Sequence, residues 1–251
     1  MRNKPDRPPA RPVEPALGLV LEPQPDDVTC GPACLHGVYR YYGDQISLPE
    51  VTADINMLDA GGTLDVFLAN HALRRGYRVT LYSYNLKLFD PTWFGLERDE
   101  IREKLRAQSA SKNDVMLHIA SEAYDEFLAN GGMLRFADLQ PSLLRRILRR
   151  DRPLITGLSA TYLYGAIRER PDSNVDDDIR GEPVGHFVVL TQYQRATREI
   201  LVADPYRTNP FASSRYYAVR LHRLIGAILL GTLTYDANLL LVEPKKRPSP
   251  A

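Results

Sequence analysis

The hydrophobic period of this chain changes at about residue 150, and that change restricts the folds open to it. Before it, apolar residues recur at helical spacing. Leu35, Val38, Tyr39 and Tyr42 make one face of a run that opens near Gly31 and stops at Gly43. Ser47-Leu48-Pro49-Glu50 reads as a capping box with proline in the first turn. Gly61-Gly62-Thr63 precedes a helix over about 64–75, ended by Gly76, and 77–84 alternates like a strand. Three further amphipathic helices are expected over 99–108, 114–130 and 138–150. Arg145, Arg146, Arg149 and Arg150 form the charged face of the last one and read as solvated. Beyond residue 150 the segments 153–158, 186–193, 200–203, 216–219 and 238–242 read as strands. Helices followed by strands predict an α+β domain, with N-terminal helices packed on a C-terminal antiparallel sheet.

The 251 residues suit one large domain, and 44% hydrophobic with 25% charged residues is the balance of an ordinary globular protein. The expected division is a Pro-rich disordered tail over 1–15, one domain over 16–243 and a second tail over 244–251. Within the domain, 86–136 reads as a helical insertion. The polar segment 160–184, carrying Tyr162, Tyr164, Asp172, Asp176, Asp177 and Asp178, reads as a lid-like loop. A formal net charge of +1 gives no footprint for nucleic acid or an anionic membrane. No apolar stretch reaches the roughly 20 residues of a membrane span, and the longest patch, 224–233, is interrupted by Gly226 and Gly231. No signal-peptide core precedes the domain. Two cysteines give no disulfide framework, which points to a reducing, cytoplasmic setting. His36 is expected on a side face of its helix. His71, His118 and His222 are scattered without ligand spacing, so neither a metal nor a cofactor is expected.

Chemistry concentrates at Cys30, in Gln24-Pro25-Asp26-Asp27-Val28-Thr29-Cys30-Gly31-Pro32-Ala33. A cysteine where a loop turns into a helix meets unpaired backbone N–H groups and the positive end of the helix dipole, which favour the thiolate. A nucleophile of this kind also needs a base, a group orienting the base and donors for an oxyanion. His186 opens a strand in Gly185-His186-Phe187-Val188-Val189-Leu190. Asp204 ends the next in Val202-Ala203-Asp204-Pro205. Adjacent antiparallel strands joined by a turn would bring the two together. Gln24 can offer an amide donor, and the Cys30 backbone N–H another.

Taken in order, Gln24, Cys30-Gly31-Pro32-Ala33, Tyr41-Tyr42-Gly43, Gly185-His186-Phe187-Val188-Val189-Leu190 and Asp204-Pro205 resemble the double-glycine bacteriocin-leader peptidases of the papain-like superfamily. The resemblance covers roughly 18–84 and 140–242. It implies a papain-like cysteine peptidase fold, with Cys30 as nucleophile, His186 as base, Asp204 as orienter and Gln24 in the oxyanion hole. The activity implied is cleavage of a peptide or isopeptide bond through a thioester. An amine acceptor in place of water would make the same site an acyltransferase, and loss of chemistry would leave a peptide-binding module. The partners implied are a peptide or protein substrate and a separately encoded transporter or peptide-modifying enzyme. Family members are commonly fused to a transporter, whereas this chain shows neither spans nor a G-x-x-x-x-G-K-[ST] phosphate loop. The segments 86–136 and 160–184 also depart from the family core.

Overall fold

The computed structural model describes residues 13–59, 61–211, 214–235 and 237–245. Most of the two expected tails, 1–12 and 246–251, therefore lies outside the described residues. Within the first, Val13 donates its N–H to the Tyr216 carbonyl at 3.2 Å.

Helices α1 (Cys30–Tyr41), α2 (Leu48–Asp54) and α3 (Asp65–Arg74) come first, followed by strand β1 (Arg78–Ser83). Helices α4 (Arg98–Ser111) and α5 (Val115–Ala129), strand β2 (Met133–Arg135) and helix α6 (Pro141–Leu148) fill the middle of the chain. Then come β3 (Leu154–Ser159), α7 (Ala160–Tyr164), β4 (Gly185–Gln194), β5 (Glu199–Ala203), β6 (Tyr216–Arg220), α8 (Leu221–Leu230) and β7 (Asn238–Glu243). The capping box at α2 is present as read: Ser47 accepts from the Glu50 N–H while Glu50 accepts from the Ser47 N–H.

The strands form one sheet in the order β2-β1-β7-β3-β4-β5-β6. The architecture is α+β, with two corrections. The sheet is not confined to the C-terminal half, because β1 pairs with β7 across the chain and carries β2 on its other edge. Nor is it wholly antiparallel, because β1 and β2 run parallel. Their connection passes through α4 and α5, and a crossover of that length is what parallel neighbours require.

Alternation along the strands sends side chains to opposite faces, and each face has its own core. Phe187 and Val189 of β4 pack with α1, α3, α4 and α5. Val188 and Leu190 pack with α6, α7 and α8. Leu105, Leu117 and Phe127 from the middle segment belong to the same cluster as Leu35, Val38 and Leu68. The segment 86–136 is thus part of the main core.

Helix α1 is buried on every side from Cys30 to Tyr39. Each apolar side chain so buried contributes about 1.5–3 kcal/mol, which fixes the position of the helix start. Two glycines permit this closeness. A Cβ at Gly31 would meet Thr63 Cγ2 at 2.6 Å, and one at Gly37 would meet Leu21 Cδ1 at 2.4 Å. One other segment differs from expectation, and one helix carries an internal glycine. Residues 160–164, expected within a loop, form α7, between the Ser159 cap and the left-handed Gly165. Residues 221–230 form α8 despite Gly226, whose missing side chain admits the Tyr162 ring: a Cβ there would lie 3.1 Å from it.

Candidate active site

The site lies where the two layers meet at one end of the sheet. Cys30 comes from the α1 cluster, whereas Tyr164 and Tyr217 belong to the opposite one. Cys30 is the first residue of α1 and is 9% exposed. Thr29, the cap residue, gives no side-chain hydrogen bond to the first turn, and its buried Oγ1 has no partner. The first turn also holds no acidic residue. The orphan N–H groups and helix dipole around Cys30 are therefore not offset locally.

His186 is the second residue of β4 and is buried. Its Nε2 lies 2.8 Å from Asp204 Oδ1. Cys30 also acts on the ring, through its charge and a side-chain interaction, and Nδ1 is the ring nitrogen that Asp204 leaves open. Burial disfavours the imidazolium. The Asp204 charge, the Asp204 hydrogen bond and the Cys30 contact outweigh it and push His186 up to about 10.

Asp204 follows directly on β5 and is fully buried. A carboxylate in that position needs donors on both oxygens. Oδ1 accepts from His186 and from the Tyr206 N–H at 2.9 Å. Oδ2 accepts from the Tyr164 hydroxyl at 2.6 Å and the Tyr217 hydroxyl at 2.8 Å. Burial raises the Asp204 carboxyl, but His186 and these donors together hold it below the ordinary carboxylate value. The backbone completes the clamp, with Asp204 N–H donating to Arg215 O at 2.8 Å.

Gln24 is 6% exposed. Its N–H donates to the Pro205 carbonyl at 3.0 Å, which ties the loop before Cys30 to the residue after Asp204. Its Nε2 donates to the Asp26 carbonyl at 2.7 Å, and its Oε1 has no partner. An amide nitrogen carries two hydrogens, so one remains for a ligand. Of the residues singled out from sequence, Cys30, His186 and Asp204 form one connected chain, and Gln24 is bonded to its border.

Tyr164 and Tyr217 were not legible as site residues. Tyr164 sits in the segment read as a loop and Tyr217 in a strand of ordinary composition. The Ser159…Gly165 bracket was the available signal for the short helix that delivers Tyr164. His36 corrects another expectation: it is 2% exposed, and burial lowers its pKa. His71, also buried, shares a 2.8 Å hydrogen bond with Tyr39. Cys34, one turn after Cys30, is free and fully buried, and its Sγ donates to the Phe187 carbonyl at 3.3 Å. Burial, with Cys30 and Asp204 nearby, pushes that thiol well up. Among the described residues, no group of three or more His, Cys, Asp or Glu is arranged to hold a metal, and no helix is long and apolar enough to cross a membrane.

No family model and no curated protein matches the chain. Among solved structures it is similar to a double glycine motif protease from an AMS/PCAT transporter, in complex with the leader peptide. Identity is 13%, coverage is 92% of this chain and 94% of that one, and the TM-score is 0.46. It is similar to the peptidase domain of Streptococcus ComA, a bi-functional ABC transporter, at 13% identity, 90% and 99% coverage and a TM-score of 0.44. It is also similar to a C39-like peptidase from Bacillus anthracis, at 12% identity, 92% and 97% coverage and a TM-score of 0.47.

Proposed function

We propose that this protein is a papain-like cysteine peptidase that cleaves a peptide or isopeptide bond through a thioester on Cys30. The observation that carries the reading is the buried His186, joined on one side to Cys30 and on the other to an Asp204 with donors on both oxygens. Cys30 Sγ passes its proton to His186 and attacks the substrate carbonyl. The oxyanion is met by the Cys30 N–H and the remaining hydrogen of Gln24 Nε2. The His186 imidazolium protonates the leaving amine, and the thioester forms. Water, deprotonated by the now neutral His186, then attacks the thioester and restores the thiol. Asp204 holds the ring in the orientation both transfers need and stabilises its cation. A peptide or protein is the substrate, and the two free cysteines suit a reducing cytoplasm.

The test is the rate at which iodoacetamide labels Cys30 at neutral pH in wild type and His186→Ala. A drop in the variant supports the reading. Equal rates remove His186 from the chemistry and overturn it.

A further inference from the structure

Four arginines from separate parts of the chain converge on one concavity, away from the Cys30 site. Arg135 comes from β2, Arg146 from α6, Arg150 from the turn after α6, and Arg152 from the approach to β3. They line a cavity of about 390 Å³ that has, among the described residues, no carboxylate and no residue of the candidate active site in its lining. The chain as a whole carries 32 basic against 31 acidic side chains, so this is a local departure from balance. A solvated helix face would explain Arg146 and Arg150 alone. It does not explain their sharing a cavity with Arg135 and Arg152.

One carboxylate beside the cavity is already divided. Glu243 holds Arg152 at 3.0 Å and Arg78 at 3.2 Å. Arg152 nevertheless keeps a buried Nε without a partner. Like charges around a concavity with low-dielectric walls focus a positive potential into it. Guanidinium groups present forks that match phosphate oxygens in pairs. A cavity of this volume suits a small molecule, and Tyr82 and Phe136 give it aromatic wall.

We propose that this cavity binds a small molecule bearing several phosphates, on the α6 side of the sheet and independently of the Cys30 chemistry. Several guanidinium forks around one concavity match the many paired oxygens of a polyphosphate better than a single carboxylate.

The test is isothermal titration calorimetry on the full chain with tripolyphosphate, ATP and adenosine. Tripolyphosphate and ATP bind, with affinity that weakens as salt rises, and adenosine does not. The exposed double variant Arg146→Gln/Arg150→Gln loses at least about tenfold in affinity, while Arg149→Gln, at the C-cap of α6 but outside the cavity lining, keeps it within about threefold. Unchanged circular dichroism and melting show that the variants fold. Arg135→Gln, on a different element, is a second variant and also weakens binding. Absence of binding at millimolar tripolyphosphate overturns the proposal. So does equal binding of adenosine, or an equal loss in Arg149→Gln.

Discussion

Replacing Asp204 by asparagine removes one charge from the buried chain and changes little else in shape. Asp204 is what keeps His186 protonated, since burial alone drives the ring the other way. The rise from 6.5 to about 10 corresponds to stabilisation on the order of 5 kcal/mol, at about 1.4 kcal/mol per unit. In Asp204→Asn only the Cys30 contact still opposes burial, and the His186 value falls. Linkage gives the sign for stability. Because His186 is raised, its contribution is complete below 6.5 and is lost as pH rises through about 10. Because Asp204 is lowered, its contribution is present above 3.8 and is lost as pH falls through the depressed value. The variant lacks both flanks. For reactivity, a neutral ring no longer draws the proton from the thiol, so Cys30 alkylation slows by at least about tenfold at pH 7. The assay is iodoacetamide labelling followed by peptide mass spectrometry from pH 5 to about 11. Cys34 does not interfere, since it is buried and its thiol is pushed well up. A folded Asp204→Asn protein that labels within about threefold of wild type at pH 7 would refute the coupling.

Two further substitutions test the surroundings. Tyr164→Phe removes one charge-assisted hydrogen bond from Asp204 Oδ2 and costs about 1.5–3 kcal/mol at neutral pH. The cost shrinks as pH falls through the depressed Asp204 value, and urea unfolding at several pH values reads both effects. Asp65 is fully buried, and burial raises its carboxyl from 3.8 to about 7, so wild-type stability falls as pH rises across that interval. Asp65→Asn flattens the slope and gains up to about 4 kcal/mol relative to wild type between pH 4 and 8, measured by the same unfolding curves.

Much of the fold was legible because its signals are local. The apolar runs read as strands over 186–193 and 238–242 appear as β4 and β7, and the Ser47…Glu50 box starts α2 where expected. The failures share a physical cause, which is that distant packing overrides local preference. Residues 160–164 read as loop until the Tyr164 hydroxyl is seen to hold its place beside Asp204. Strand β2 has three residues and pairs only with β1, too little for a period to show. The same holds at the site. Cys30, His186 and Asp204 announce themselves through residue type and neighbours. Tyr164 meets Asp204 across 40 residues of sequence, a contact only the folded chain reveals. The arginine cavity was hidden for a related reason. Arg146 and Arg150 are adjacent on one helical turn, but Arg135 and Arg152 join them only through the sheet.

Turnover through a thioester places an acyl group on Cys30. Its most direct measurement is mass spectrometry of the protein mixed with a diverse peptide pool and quenched rapidly in acid. Wild type is expected to carry an acyl fragment mapped to Cys30, with matching peptide products, and Cys30→Ala to show neither. Peptide cleavage that persists in Cys30→Ala, or a wild-type protein that never carries an adduct on Cys30 with any peptide, would contradict it.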